Sequence, residues 1–251
     1  MIGPLYIVSD NHFMMKNNTS EKDRRSKLFQ VFKKIKNNGS GTLIIGGDFF
    51  DFWFETNHAV PKGYESLLIE LADLVKSGIS VHYIAGNHDF WDFGYLSNKT
   101  GLIFHKNDLK FSYDNKNILI THGDGLLKRD SGYRFMKKII RHKLFICLFK
   151  LIPEKISFNF ANKMSKSSSE YNHNDKYASE IKRDMLEYSK NKWEEEKIDI
   201  VMIGHYHQQE IIKENNNQLI FLGDWLQKFT VTVLNKNDTW QGNWEQFLKL
   251  T

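Results

Sequence analysis

The sequence is poor in cysteine and in long apolar runs, and each scarcity excludes a class of protein. A single cysteine, Cys147, excludes a disulfide framework within the chain and a structural zinc site built from thiolates, and it fits a reducing compartment. Its place in the apolar run 144–149 predicts a packed apolar side chain. That run is the longest of its kind and far short of the roughly 20 residues that a membrane-spanning helix needs.

Acidic residues are nearly missing from one segment of the chain, which has 251 residues and a net charge of +5. Between 134 and 155 there are seven basic residues and one acid, Glu154, so the rest of the chain is close to neutral. Apolar residues interleave with those cations, namely Phe135, Ile139, Ile140, Leu144, Phe145, Leu148 and Phe149. Such a basic amphipathic segment either lies in the headgroup region of an anionic membrane or packs its apolar face on neighbouring helices. The sequence leaves both open.

The same segment bears on partners and location. Basic residues interleaved with aromatics also bind nucleic acid, but the aliphatic content favours lipid, so we expect no nucleic-acid partner. No feature calls for an obligate protein partner. An apolar run at 5–8 starts the chain almost at once, so no secretion signal is expected. We therefore expect a cytoplasmic protein attached peripherally to the inner membrane.

Five short apolar runs are each followed by side chains that bind metals. The runs are 5–8, 42–45, 80–85, 117–121 and 199–203. Because they are short, rich in β-branched residues and bounded by glycine or polar residues, they are predicted to be buried strands. Ligands bind at the carboxyl ends of strands in open α/β sheets. The candidate metal ligands that follow these runs are Asp10, His12, Asp48, Asn87, His122, His205 and His207.

Strands and helices alternate through the first part of the chain, which implies parallel pairing. The apolar spacing predicts two helices, at about 21–36 and 63–76. It also predicts three hairpins, at about 110–121, at about 210–222 and from 229 onward. The stretch 125–196 breaks the alternation and shows helical periodicity. We therefore predict an α/β fold, a two-sheet sandwich built from 1–124 and 197–251, with 125–196 inserted as a helical cap.

This set of predicted metal ligands indicates an enzyme that hydrolyses phosphoesters. Two divalent cations about 3.5–4 Å apart acidify a water, neutralise phosphoryl oxygens and stabilise the leaving oxygen. A carboxylate between them must screen their repulsion, and Asp48 is the predicted bridge because its strand lies between the other contributors. The first ion is assigned to Asp10, His12, Asp48 and His207, and the second to Asp48, Asn87, His122 and His205. Imidazole with carboxylate and amide oxygen suits Mn, Fe or Zn better than Mg or Ca.

His88 and Asp89 are the predicted catalytic residues. His88 follows a predicted ligand directly, so we expect it to face the open side of the site and donate to a phosphoryl oxygen or to the leaving group. Asp89 is expected to hold the tautomer of that imidazole.

The motifs Asp-x-His, Gly-Asp-x-x-Asp, Gly-Asn-His-Asp, a lone His before Gly and Gly-His-x-His resemble those of the calcineurin-like metallophosphoesterase superfamily. The segments 47–55, 58–64, 86–91, 122–125 and 130–133 look like UDP-2,3-diacylglucosamine diphosphatases. The resemblance implies a metallophosphoesterase-type sandwich whose cap takes the lipid. It implies hydrolysis of UDP-2,3-diacylglucosamine to UMP and 2,3-diacylglucosamine 1-phosphate (lipid X), a step in lipid A synthesis. It also implies two divalent ions, typically Mn²⁺.

The resemblance further implies a set of substrate contacts. They are Asn87, His88, Asp130, Tyr133, Ser168, Asn172, Lys176 and His205. Asp130 and Tyr133 lie in a clear local match, whereas Ser168 and Asn172 follow from aligning a Ser-rich stretch, and Lys176 needs one inserted residue. The well-known proteobacterial members carry Arg after the metal-binding Asn, and this chain has His88 there, which is the general superfamily pattern.

Two other interpretations stay open. A metallophosphodiesterase acting on another nucleotide or nucleoside-diphosphate lipid would use the same ligands. A non-catalytic scaffold on the same fold usually lacks ligands or the catalytic His, and this chain keeps every one of them.

Overall fold

The computed structural model describes residues 1–56, 60–151, 175–236 and 238–250. In chain order its elements are β1 (Leu5–Val8), α1 (Thr19–Asn37), β2 (Thr42–Ile45), α2 (Glu65–Lys76), β3 (Ser80–Ile84), α3 (Tyr95–Thr100), β4 (Ile103–His105), β5 (Leu109–Tyr113), β6 (Lys116–Thr121), α4 (Ser131–Ile140), α5 (Lys143–Lys150), α6 (Asp175–Glu195), β7 (Ile200–Ile203), β8 (Gln209–Glu214), β9 (Asn217–Leu222), β10 (Thr230–Leu234), β11 (Thr239–Asn243) and α7 (Trp244–Leu248).

Two sheets make up the centre of the fold. The first has six strands in the order β11-β10-β1-β2-β3-β4, and the second has five in the order β5-β6-β7-β9-β8. Strands β1 to β4 pair in parallel, and so do β6, β7 and β9. The three predicted hairpins pair antiparallel. The parallel strands of each sheet therefore end at one edge, where the predicted ligands follow them.

Apolar side chains cover both faces of each sheet, which explains why the strands read as continuous apolar runs. Between the sheets, Ile7 of β1 belongs to one buried cluster with Ile120 of β6 and Met202 of β7. Helices α1, α2 and α7 cover the outer face of the first sheet. Helix α6 covers the second sheet with Met185 and Trp193. The predicted two-sheet α/β sandwich is confirmed.

Helix α1 shows how the sequence sets these elements. Asn18 caps its first turn, because the side-chain oxygen of Asn18 accepts a hydrogen bond from the N–H of Glu21 at 2.9 Å. Leu28, Phe32 and Ile35 then recur at helical spacing, and all three are fully buried. The helix predicted at 21–36 is therefore confirmed, with a slightly earlier start.

The predicted cap is helical where the structure describes it. Every side chain of α4 is at least partly exposed, and α5 buries Phe149. Leu144 and Leu148 of α5 are 69% and 68% exposed. Cys147 is exposed as well. The prediction that it packs is wrong, because α5 turns Phe145 and Phe149 inward and residue 147 lies on the opposite side of the helix.

Some predicted residues lie outside this description. Ser168 and Asn172 fall in 152–174, which the structure does not describe. The motif segment 58–64 is described only from residue 60. Lys176 lies in the first turn of α6, and its side chain is outside the description. Among the described helices, none combines the length and the apolar character required to cross a bilayer.

Candidate metal centre

The loops after β1, β2 and β7 hold their polar side chains on an unusual backbone. Asp10, His12, Asp48, His205 and His207 all have positive φ, between 44° and 64°. This left-handed conformation costs a non-glycine residue roughly 1–3 kcal/mol, and such residues cluster at active sites. All five were predicted as metal ligands, and they are half of the ten non-glycine residues with positive φ in the described chain.

The first cluster joins the loops after β1, β2 and β7. Nε2 of His207 lies 3.5 Å from Oδ1 of Asp10, and Nε2 of His12 lies 4.0 Å from the same oxygen. Nε2 of His12 also lies 3.8 Å from Oδ2 of Asp48. The ligand atoms of Asp10, His12 and His207 all lie within 4.8 Å of one another. The structure thus brings together the four residues predicted for the first ion.

The second cluster lies on the other side of Asp48. Nε2 of His122 is 3.2 Å from Oδ2 of Asp48 and 3.1 Å from Oδ1 of Asn87. The ligand atoms of Asp48, His122 and His205 lie within 4.8 Å of one another. The four residues predicted for the second ion are together, and Asp48 belongs to both clusters.

Backbone groups fix the orientation of these donors. Nδ1 of His122 lies 3.1 Å from the carbonyl oxygen of Gly46. Because a carbonyl only accepts, Nδ1 carries a proton and Nε2 is directed at Asp48. The N–H of His205 donates to both carboxylate oxygens of Asp10 at 3.0 Å, and the hydroxyl of Ser9 donates to Asp10 at 2.6 Å. The donors are preorganised by the strand ends.

The charges at the centre are paired. Burial alone would raise the pKa of Asp48, but the imidazoles of His122 and His88 lower it well below its usual value. Burial lowers the pKa of His122, yet the carboxylate of Asp48 outweighs it and raises that pKa to about 10. A cation at this position would replace the proton that His122 shares with Asp48.

The remaining imidazoles differ in their protonation. Burial lowers the pKa of His12 to about 3 and that of His205 to about 4, so both are neutral and free to ligate. Burial opposes protonation of His207 too, but its hydrogen bond to Asp10 raises its pKa. Two carboxylates, four imidazoles and an amide within this reach fit two divalent ions. Candidate Asp/His metal clusters are therefore present in the described chain.

His88 lies beside Asp48 and His12, and the ligand atoms of these three residues lie within 4.8 Å of one another. Its N–H donates to Oδ1 of Asp48 at 2.9 Å, and its Nε2 lies 4.0 Å from Oδ2 of Asp48. Its Nδ1 lies 2.5 Å from the carbonyl oxygen of Asp51. That carbonyl, and not Asp89, holds the tautomer of His88, so Nε2 faces the cluster.

Asp89 has other partners, and the prediction that it orients His88 is wrong. Its carboxylate accepts hydrogen bonds from the N–H of Phe49 at 2.8 Å, from the N–H of Gly86 at 2.7 Å and from the hydroxyl of Tyr83. The carboxylate of Asp89 is thus directed at the backbone of the loops after β2 and β3 and not at the imidazole of His88. Burial and the charge of Asp48 raise its pKa to about 6. It ties the loops after β2 and β3 to each other.

Of the predicted substrate contacts beyond the clusters, the structure describes the side chains of Asp130 and Tyr133. The hydroxyl of Tyr133 donates to Oδ2 of Asp124 at 2.9 Å. Asp130 is the residue before α4, and its side chain makes no capping hydrogen bond there. Burial raises its pKa. Tyr133 thus connects α4 to the loop that carries His122, whereas Asp130 stays beside that loop.

Sequence reasoning missed two supporting residues. Asp124 is buried two positions after His122 and contacts Lys137 at 2.7 Å and Arg141 at 3.3 Å. Its place in His-Gly-Asp was the available signal. Arg24 of α1 donates to the carbonyl oxygens of Asn11 and Trp225 and so supports the first ligand loop from behind. Its helical position gave no signal.

Comparison with known proteins supports the same assignment. Residues 3–209 match the family model described as calcineurin-like phosphoesterase. Similar curated proteins include three described as UDP-2,3-diacylglucosamine hydrolase. That of Porphyromonas gingivalis is 24% identical over 242 residues, which cover 90% of this chain and 92% of the relative. That of Histophilus somni is 26% identical over 234 residues, covering 92% and 96%. That of Wigglesworthia glossinidia brevipalpis is 29% identical over 238 residues, covering 91% and 90%.

Proposed function

Because the chain belongs to the calcineurin-like phosphoesterase family, we propose that it hydrolyses the pyrophosphate of UDP-2,3-diacylglucosamine. The products are UMP and 2,3-diacylglucosamine 1-phosphate, and the step belongs to lipid A synthesis. The substrate follows from relatives of that description, which align over about nine-tenths of this chain. The position of Asp48 is the main support for a hydrolase activity. Its Oδ2 lies 3.8 Å from Nε2 of His12 and 3.2 Å from Nε2 of His122.

Two divalent ions fit this centre, whose mixed imidazole, carboxylate and amide donors suit Mn, Fe or Zn. We assign them as Mn²⁺ because the family resemblance implies that metal. The ligands are Asp10, His12, Asp48 and His207 for the first ion, and Asp48, Asn87, His122 and His205 for the second. When bound, the ions supply the charge that activates a water and neutralises phosphoryl oxygens. The carboxylate of Asp48 screens their repulsion.

His88 acts on the phosphoryl group. With Nδ1 held by the carbonyl of Asp51, its Nε2 faces the clusters and donates a hydrogen bond to a phosphoryl oxygen as charge develops there. The leaving group of this reaction is a phosphate ester, a weak base, so it needs little help from a proton donor. Asp89 contributes by holding Gly86 and Phe49, which position Asn87 and Asp48.

Residues 125–196 form the cap in this proposal, and they take the lipid together with the core 1–124 and 197–251. A small apolar cavity of about 40 Å³ lies between the two parts. The core lines it with Phe52, Phe54 and Trp91, and α4 and α5 line it with Met136, Ile140, Phe145 and Phe149. An all-apolar lining suits an acyl chain and offers nothing to a nucleotide.

The outer side of α4 and α5 meets the membrane in this proposal. Phe135, Leu144 and Leu148 are 68%, 69% and 68% exposed, and basic residues lie between them. Apolar side chains that enter the headgroup region beside cations give reversible attachment to an anionic surface. In this proposal the enzyme works at the cytoplasmic face of the inner membrane.

The nucleotide and sugar phosphate are bound by the contacts that the family resemblance implies. We assign them to Asn87, His88, Asp130, Tyr133, Ser168, Asn172, Lys176 and His205.

A product assay tests the proposal. The purified protein with Mn²⁺ is given UDP-2,3-diacylglucosamine, a cyclic nucleotide and a soluble nucleoside diphosphate sugar in parallel, and phosphorus NMR identifies the products. We expect UMP and the lipid phosphate, released faster than any product of the soluble compounds. A preference for a soluble diester would show that the substrate is another nucleotide and not the lipid.

A further inference from the structure

Arg141 connects the cap to the metal centre. It follows the last residue of α4, and its Nη2 donates to the carbonyl oxygen of Gly86 at 3.2 Å and to Oδ2 of Asp124 at 3.3 Å. Gly86 immediately precedes Asn87, and Asp124 follows His122 by two residues. One guanidinium therefore contacts two of the four loops that carry the second cluster, those of Asn87 and His122.

An aromatic ring lies against that guanidinium. Its central carbon lies 4.0 Å from the centroid of the Phe90 ring, close enough for stacking and cation–π attraction. Phe90 follows His88 by two residues, so the ring belongs to the loop that carries Asn87 and His88. The side chain of Arg141 keeps 20% of its surface exposed. It is held in place yet open on one side.

The charges around Arg141 leave a positive excess. Asp124 is the carboxylate that it contacts, and the same carboxylate lies 2.7 Å from Nζ of Lys137. Two cations thus share one acid. In the described chain, the hydrogen bonds of the guanidinium run through Nη2, and a guanidinium carries five N–H donors. Donors and charge remain for an anion arriving at the centre.

We propose that Arg141 binds the phosphate that leaves with the sugar, and so positions the diphosphate while its uridine-linked phosphorus lies at the ions. The proposal rests on the function proposed above. A planar guanidinium pairs with two phosphate oxygens at once, and the contact with Phe90 holds it beside two loops of the second cluster. In this role Arg141 is a positioning residue for the reaction and a binding residue for the second phosphate.

Binding of UDP and UMP isolates this role, because the two nucleotides differ by the phosphate in question. Calorimetry with the Mn²⁺-loaded protein gives both dissociation constants. A hydrogen-bonded charge pair contributes about 1.5–3 kcal/mol, so we expect UDP to bind at least roughly tenfold more tightly than UMP. R141Q should lose most of that preference. R141K, which keeps the charge without the planar fork, should keep part of it.

Lys137 provides the matched control. It shares Asp124 with Arg141, and its other contact is the carbonyl oxygen of Asp124 at 3.0 Å. K137Q therefore removes a cation from the same carboxylate and should keep the UDP preference. If Arg141 only fastened α4 to the sheet, R141Q and K137Q would lower the melting temperature and weaken the binding of UDP and UMP alike. That result, or an unchanged UDP preference in R141Q, would overturn the proposal.

Kinetics separate this inference from the proposed function. With UDP-2,3-diacylglucosamine, R141Q should raise KM more than it lowers kcat. If the wild-type protein released no UMP while R141Q still abolished the UDP preference, the proposed substrate would be wrong and the role of Arg141 in binding a second phosphate would stand. Normal UMP release by R141Q, with an unchanged KM, would leave the proposed function intact and refute the proposed role of Arg141.

Discussion

Nε2 of His122 lies 3.2 Å from Oδ2 of Asp48, although the two residues follow strands of different sheets. Asp48 follows β2 of the first sheet, and His122 follows β6 of the second. The candidate centre is therefore built across the seam between the sheets, and neither sheet provides it alone. Its geometry depends on how closely the strand ends of both sheets approach.

Gly86 tests that dependence. A Cβ at this position would overlap Oδ1 and the backbone nitrogen of Asp48. We expect Gly86→Ala to displace the carboxylate and lower kcat/KM roughly 10²-fold, the cost of a misplacement near 1 Å. Metal affinity, followed by calorimetry, should fall in parallel.

Gly132 is the control for that substitution. It lies in α4, and a Cβ there meets no atom within 4 Å. Gly132→Ala should keep wild-type metal affinity and gain up to about 1 kcal/mol of stability, since alanine loses less backbone entropy in a helix. Equal metal affinities in the two variants would show that Asp48 tolerates displacement.

Substitution of His88 separates a catalytic role from a ligand role. His88→Ala removes the Nε2 donor that faces the clusters, and we expect kcat to fall about 10²-fold to 10³-fold. Metal content, measured by plasma mass spectrometry, should stay at the wild-type ratio. A variant that loses metal together with activity would make His88 a ligand.

The outer apolar side of α5 is open to a direct binding assay. Leu144 and Leu148 are each more than two-thirds exposed. Burying one leucine contributes about 1.5–3 kcal/mol, so Leu144→Glu with Leu148→Glu should weaken binding to phosphatidylglycerol vesicles at least roughly 10²-fold. Ile69→Glu on α2, where the side chain is 64% exposed, is the control and should bind like the wild type. Equal binding by all three proteins would place the membrane contact elsewhere.

A histidine pair on the first sheet makes stability depend on pH. Nδ1 of His82 lies 2.9 Å from Nε2 of His105, and the rings are stacked. Burial and the neighbouring imidazole lower the pKa of His82 from 6.5 to about 4, and burial lowers the pKa of His105. As the pH falls, the unfolded chain therefore binds protons that the folded chain does not bind. The stability that the neutral pair contributes is complete above pH 6.5 and is lost as the pH falls toward 4.

Urea unfolding between pH 7.5 and 4.5 measures this dependence. His82→Gln should reduce the loss of stability on acidification relative to the wild type. The buried histidines of the metal centre titrate in both proteins, so the difference between the two curves isolates the pair. Identical pH dependence in the His82 variant would show that the pair is not linked to folding.

The sequence predicted what is local in this fold. A short apolar strand and the ligand that follows it lie within about ten residues, so all seven predicted ligands could be named from spacing alone, and the structure brings them into two clusters that share Asp48. The hairpins were equally accessible, since their turns lie between adjacent strands. Helix α7 was missed because it follows directly on β11 and has five residues.

The sequence alone does not determine the direction in which neighbouring side chains point. It also does not determine the contacts between distant segments. Asp89 adjoins His88 in sequence and faces the other way, toward Tyr83. Arg141 meets Gly86 across 55 residues, and no pattern of residue types marks that contact. Such contacts arise from the packing of α4 on the sheet edge, which the spacing of residues in one segment does not determine.

Anomalous scattering from crystals grown with Mn²⁺ tests the central claim most directly. We expect two manganese peaks a few ångströms apart, one between Asp10, His12 and His207 and the other between Asn87, His122 and His205. Asp48 should lie between the peaks, with a carboxylate oxygen on each. A single peak, or two peaks that do not share Asp48, would contradict the two-ion hydrolase.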